Sequence, residues 1–547
     1  MDRGAPRRAD REPDPVLGRR SRAHIQPQHA GARLGPRRAD LPRRPSVRRH
    51  ASHSAGDRCR GMSILQSVAR NIAMLTASRF VTWIAAFAFT IAQARYLGPG
   101  HFGELSVALT FAALLAIVMD FGLGTQLSRM VAQRSPGNEQ ALAATIAIRA
   151  GLWVVAAPAL LLVCVALGYS AELQLTVLLL AVSIFLVGIS NTIASFLQGH
   201  EEFALPAFAA VAQGVTAAVI GGFILAARPE IAAVAYAFVA AGLVSLAVLS
   251  LSQRVRESLR HPRVDAQAAV RLLRAGVPLG VYAIATTVYF SVDMVMLQRL
   301  AASDNVGWYA AAYRPFGAAT LFPSIVAGTV LYPVLSRLSL GSRDELGAVI
   351  EKSLTVLTLA GVGVALVFAL FAERIVGILY PAQSYAEAAG ALRLLAPGLL
   401  FIYVNWALAT ALLGLRLERR LIVMAVTVAL LNPLMNLVAI PLFQERGAAF
   451  TTSLTELIVL IWLVRMMPRD LLRLSSVRVG AKAAAAAVLT AVVLAPLRDL
   501  PLVMTVPFAI LLYAAAALAV RAVTARELAA LGAVVLPLSR PARGGVR

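Results

Sequence analysis

Apolar stretches long enough to cross about 30 Å of hydrocarbon recur along this chain from Ile72 to Val520, with only short polar connections between them. Fourteen spans are predicted, at about 72–94, 102–123, 141–167, 173–197, 205–227, 231–252, 276–298, 306–335, 350–371, 389–413, 420–442, 447–464, 481–497 and 502–520. No segment outside them is long enough to build a sizeable soluble core. A composition that is 59% hydrophobic and 14% charged fits a chain whose main solvent is the bilayer. The expected fold class is an all-α polytopic membrane protein.

An even number of spans places both termini on one side, and Lys and Arg decide which side that is, because cytoplasmic loops retain them. Alternate connections carry Arg129 and Arg134; Arg254, Arg256, Arg260, Arg263, Arg271 and Arg274; Arg337, Arg343 and Lys352; Arg416, Arg419 and Arg420; and Arg465, Arg469, Arg473, Arg478 and Lys482. The opposite loops hold about one each, namely Arg95, Arg228, Arg299, Arg374, Arg446 and Arg498, and the loop near Ser170 holds none. The Arg-rich side, with both termini, is therefore expected to be cytoplasmic. The acidic loop at Gly199–Glu202 departs from the pattern, but acidic residues weigh little in that rule. Membrane topology also accounts for the net charge of +23 without a nucleic-acid partner.

Residues 1–61 are a different material, rich in Arg, Pro, Gly and Asp, and are expected to be disordered. They lack an apolar signal region, while their arginines would also suit a transit peptide or a basic tail. The hydrophobic pattern begins just after Met62, so Met62 competes with Met1 as the start of translation. Two cysteines, Cys59 and Cys164, support neither a disulfide framework nor a thiol metal site.

A pattern recurs at a large offset. Arg95 precedes Gly103 after the first span as Arg299 precedes Gly307 after the seventh, and a helix rich in small residues follows each. Six spans separate the two, so both lie on one side of the membrane and the halves would be parallel repeats. The expected organisation is a six-helix lobe over 62–260, a second over 261–470, a central cavity between them, and two further helices with a basic tail over 471–547.

ARYLGPGHFG after span one, DFGLGTQLSR closing span two, GVPLG with Asp293 and VGWYAAAYR around spans seven and eight, and NPLMNLVAIPLF with GAAFTTSLTE around spans eleven and twelve resemble the polysaccharide-biosynthesis (Wzx-type) flippases of the multidrug/oligosaccharidyl-lipid/polysaccharide superfamily. The resemblance covers about residues 70–470. It implies translocation of a polyprenyl-pyrophosphate-linked saccharide across the bacterial cytoplasmic membrane by alternating access. A lipid-linked saccharide and membrane lipids are the implied partners, with a polysaccharide polymerase and glycosyltransferases as further candidates. The segment after Pro468 and the N-terminal extension depart from the family pattern.

A charge in hydrocarbon costs at least about 2.5–3.5 kcal/mol on insertion scales, so each asks for a reason. Arg79 and Arg314 are candidate cavity cations, since a guanidinium offers a planar fork of donors to phosphate oxygens; for Arg79 the alternative is snorkelling. Asp293 is expected to pair with Arg314 or Arg299, as a structural ion pair or a gating contact. Glu456, near the middle of span twelve, is the candidate for protonation or cation coupling, or else an interhelical partner. Asp120, before Gly122 and Gly124, reads as a helix-end or interface residue with a possible gating role. Asn405, Asn432 and Asn436 are candidates for sugar contact or interhelical bonding. Pro278, Pro315, Pro323, Pro333, Pro397, Pro433 and Pro441 interrupt four spans of the second half and are candidate flexing points.

No Walker loop, dinucleotide turn, metal-ligand spacing or nucleophile elbow stands where it would work, so no enzyme, cofactor or metal is expected. Energy would come from an ion gradient, the membrane potential or consumption of product. Three alternatives to the saccharide flippase are an ion-coupled drug or metabolite antiporter of the same superfamily, a peptidoglycan-precursor flippase, and a membrane glycosyltransferase or ligase. The short outer loops oppose the last.

Overall fold

The computed structural model describes residues 50–133, 138–260, 266–339, 341–472, 474–497 and 501–522. The chain divides into two units, Met1–Leu65 and Gln66–Arg547, and the second contains every membrane-length apolar helix among the described residues. Regular structure among the described residues is entirely helical. The extension expected to be disordered lies outside the described residues up to position 49. From His50 onward it is helical. The prolines that bar a helix end at Pro45, which leaves the composition after it compatible with one.

The first lobe comprises α1 (His50–Asp120), α2 (Leu123–Ala132), α3 (Asn138–Ala166), α4 (Ala171–Gly199), α5 (Ala204–Ala227) and α6 (Ile231–Leu249), followed by the short polar α7 (Gln253–Arg260). The second comprises α8 (Ala266–Leu300), α9 (Ser303–Ile325), which runs through a π-helical turn into α10 (Tyr332–Leu338), then α11 (Arg343–Leu370), α14 (Ala388–Gly414) and α15 (Glu418–Met466). Two short helices, α12 (Ala372–Leu379) and α13 (Ala382–Tyr385), fill the loop before α14; α16 (Leu474–Leu494) and α17 (Leu502–Ala519) close the chain.

Eleven helices among the described residues are long and apolar enough to cross a membrane. Two of them, Ser78–Ala132 and Glu418–Met466, have 55 and 49 residues and far exceed one crossing. Glu418–Met466 is broken once, whereas Ser78–Ala132 breaks at Gly98 and again at Phe121 and Gly122, where α1 gives way to the short α2. Gly98 adopts φ 71° and is followed by Pro99, which has no N–H to continue the ladder. Gln444 adopts φ 53° and ψ −129°. Counting each as two membrane-length segments and adding the 21-residue α16 gives the fourteen apolar helices expected.

Within the first lobe, α4 packs on α2, α3 and α6, and α5 packs on α6. In the second, α14 is central, against α9, α11 and α15, while α15 also packs on α8; α16 lies on α11. Small residues permit close approach: Gly214 abuts Thr82, and Gly242 abuts Leu186. Side chains such as Phe223 and Val503, 76% and 85% exposed, have lipid as their natural solvent. Serine caps start two helices, with Leu173 N–H donating to Ser170 Oγ at 3.2 Å and Glu345 N–H to Ser342 Oγ at 3.5 Å. Pro315, Pro323, Pro397, Pro433 and Pro441 lie inside helices that continue past them. The π-helical turn sits between Pro323 and Pro333, where the ladder of span eight is most disturbed.

Candidate functional site

The two repeated glycine turns meet each other at the Arg-poor end. A Cβ on Gly103 would lie 2.8 Å from the Gly307 nitrogen, and one on Gly307 would run into the Pro99 carbonyl, so neither position has room for a side chain. Around them one apolar cluster draws on both lobes, from Leu97, Phe102 and Leu105 to Val306, Tyr385 and Leu392. Polar contacts reinforce it. Arg95 donates to the carbonyls of Ile378 at 2.8 Å and Leu379 at 3.0 Å, and the Tyr385 hydroxyl donates to the Ala94 carbonyl at 2.8 Å. The α12–α13 segment of the second lobe is thereby strapped to the first.

A small cavity of about 140 Å³ lies between the lobes. Ser106 and Thr110 of α1 line one side; Phe290 and Met294 of α8, and Tyr313 and Arg314 of α9, line the other. Arg314 is half-buried, has no carboxylate partner among the described residues, and leaves its Nε without a hydrogen-bond acceptor. Tyr380 is its electrostatic neighbour, and the buried Tyr380 hydroxyl is likewise unpartnered. A cavity-lining guanidinium whose Nε lacks an acceptor is an electrostatic setting suited to an anion.

A second cavity of about 340 Å³ opens inside the second lobe between α8, α14 and α15, and shares Phe290 and Ser291 with the first. Its polar end is Glu456. The Tyr289 hydroxyl donates to Oε1 at 3.1 Å, and Asn405 Nδ2 donates to Oε2 at 2.9 Å and to the Glu456 carbonyl at 3.0 Å. Asn405 Oδ1 is buried and has no donor. Tyr282, Trp406 and Met424 supply apolar wall.

Behind this cavity the two segments of α15 fold against each other as an antiparallel pair. Asn432 donates to Thr455 at 3.0 Å, Asn436 donates to Asn432 at 2.9 Å, and Thr451 donates to Asn436 at 2.5 Å. Asn432 and Asn436 are wholly buried and line neither cavity. Asp293, also buried, accepts from the Tyr309 hydroxyl, from Thr452 at 3.2 Å and from the Met294 amide at 3.0 Å. The expected pairing of Asp293 with Arg314 or Arg299 is therefore corrected. The side chain meets hydroxyls of α9 and α15, which neutralise its hydrogen-bonding demand without a counter-charge.

Arg79 is exposed on α1 and lines neither cavity, so the structure does not bring it together with Arg314. Asp120 accepts from Arg149 at 2.5 Å, and Arg149, fully buried in α3, also donates to the Gly188 carbonyl at 2.6 Å. This interhelical pair was missed from sequence, although a charge nine residues into a predicted span was signal enough.

The profile of the family described as polysaccharide biosynthesis protein matches residues 68–339, a stretch that holds the first lobe, α8, α9 and α10. These residues belong to that family. Among solved structures, the lipid II flippase MurJ in an inward closed conformation superposes with a TM-score of 0.65 at 14% identity, over 84% of this chain and 100% of that one. A multidrug resistance MATE family transporter of the MOP superfamily, facing inward, gives 0.58 at 14% identity over 72% and 96%. A further MOP superfamily transporter, from Pyrococcus furiosus, gives 0.50 at 14% identity over 73% and 95%. No curated protein matches the sequence. The fold is thus the one shared by these multi-pass membrane proteins.

Proposed function

We propose that this polysaccharide biosynthesis family protein is a flippase that carries a polyprenyl-pyrophosphate-linked saccharide across the bacterial cytoplasmic membrane by alternating access. The observation that carries the reading is Arg314, a guanidinium with no carboxylate partner among the described residues, at a cavity between two lobes. Burying such a charge is costly, and a dianionic pyrophosphate entering the cavity would supply its missing partner. The closed seam at the Arg-poor end implies loading from the Arg-rich, cytoplasmic side. Glu456 and Asp293 are the coupling or gating candidates, and Asn405, whose buried oxygen has no donor, is the candidate for contact with a bound group.

The test is translocation of a fluorescent polyprenyl-pyrophosphate saccharide between leaflets of liposomes. Wild type should move it, and Arg314→Gln should slow it by about tenfold or more, the scale of one charge-assisted contact. Arg79→Gln should matter little, since the side chain stands outside both cavities. Wild type that leaves the lipid in place would sink the proposal.

The Glu456 cavity favours a second reading. An isolated carboxylate among Tyr282, Tyr289 and Trp406 would also suit a lipophilic cation, as an antiporter requires. Export of a cationic dye against a proton gradient, abolished in Glu456→Gln, would support that reading instead.

A further inference from the structure

On the flank of the second lobe, away from both cavities, an open groove of about 750 Å³ runs between the two segments of α15 at their Arg-rich ends. Arg419 and Arg420 enter it from the first turn of one segment, and Arg465 from the last turn of the other. All three are exposed, and none has a carboxylate partner among the described residues. Two arginines in other Arg-rich connections differ: Arg254 holds Glu202 at 2.9 Å, and Arg343 holds Asp470 at 2.5 Å. Deeper along the same groove the lining turns apolar, through Val423, Ile461 and Trp462, and Val423 is 60% exposed.

We propose that this groove is a binding site for an anionic phospholipid, with the phosphate among the three guanidiniums and an acyl chain along the apolar wall. Depth supports the assignment. The arginines stand at the helix ends, where a headgroup lies, and Ile461 and Val423 lie about one turn further in, where hydrocarbon begins. Three unpaired cations converging from segments that are adjacent only in space exceed the scattered Arg of ordinary topology, and match the basic pockets between helices that hold acidic headgroups. The groove shares no residue with either cavity, so the ligand is a resident lipid and not the transported one.

The test is native mass spectrometry of the full chain released from mixed micelles of phosphatidylglycerol and phosphatidylcholine. Wild type should retain one phosphatidylglycerol with at least about tenfold preference, since each Arg at a surface adds appreciably to anionic lipid binding. The triple variant R419Q/R420Q/R465Q should lose that preference, whereas R129Q/R256Q/R274Q, on other Arg-rich connections, should keep it. Val423→Trp fills the apolar wall with every charge intact, and should also weaken retention if the triple variant fails to fold. Equal retention of the two lipids by wild type, undiminished preference in both the triple and Val423→Trp variants, or displacement by polyprenyl diphosphate at far lower concentration than by phosphatidylglycerol would each overturn the assignment.

Discussion

Arg149 and Arg314 are both guanidiniums within hydrocarbon-spanning helices, and their surroundings assign them different work. Arg149 gives both terminal nitrogens a partner, Asp120 and the Gly188 carbonyl, and only its Nε has none, so it ties α3 to α4 and to the end of α1. Arg149→Ala should therefore destabilise the fold by about 2–3 kcal/mol, the cost of leaving a carboxylate and a carbonyl without their donor, read as a lower thermal midpoint in detergent. Arg314→Ala should leave that midpoint nearly unchanged while translocation falls, because its donors have no partner to lose. Asn432→Leu should cost about 1–2 kcal/mol, the usual worth of the two hydrogen bonds lost, the one it donates to Thr455 and the one it accepts from Asn436. Composition pointed to Arg314 and Glu456, because charge in hydrocarbon demands a reason. It could not assign partners. Nothing local in sequence distinguishes Asp293 beside Tyr309 and Thr452 from Asp293 beside an arginine, since those contacts join positions sixteen and more than a hundred residues apart.

Among the elements, the breaks inside α1 and α15 and the strap formed by α12 and α13 decide which end of the interface is shut. Apolar length made both broken helices readable as two spans each, since no single crossing needs so many residues, and Gly98-Pro99 marked one break by its own chemistry. The strap was not readable: α12 is too short for a span, and its grip on Arg95 uses backbone carbonyls, which every residue carries. Arg95→Gln should loosen the strap. A cysteine placed at Ala94 should then react faster with a membrane-impermeant thiol reagent from the Arg-poor side, by several-fold if the two bonds together hold the seam by about 1–2 kcal/mol. An unchanged rate would mean that the apolar cluster alone keeps the seam closed.

The molecule as a whole is two six-helix lobes whose halves touch through corresponding positions, Gly103 and Gly307. Gly307→Ala would insert a methyl against the Pro99 carbonyl, and Gly103→Ala one against the Ser303 carbonyl; either should shift the population toward a conformation open at the Arg-poor end. Distances between spin labels on the first turns of α4 and α12 would report it as a longer component.

A contact in which each half presents to the other a copy of what it receives is the geometry of a two-fold dimer of identical chains. Beyond the seam the halves do not mirror each other: Arg95 donates to carbonyls of the second half, Arg299 makes no such bonds among the described residues, and Arg314 stands on one lobe alone. A substitution at either glycine must consequently be accommodated by the opposite half of the chain, about two hundred residues away, so the two positions are expected to change together over descent or not at all.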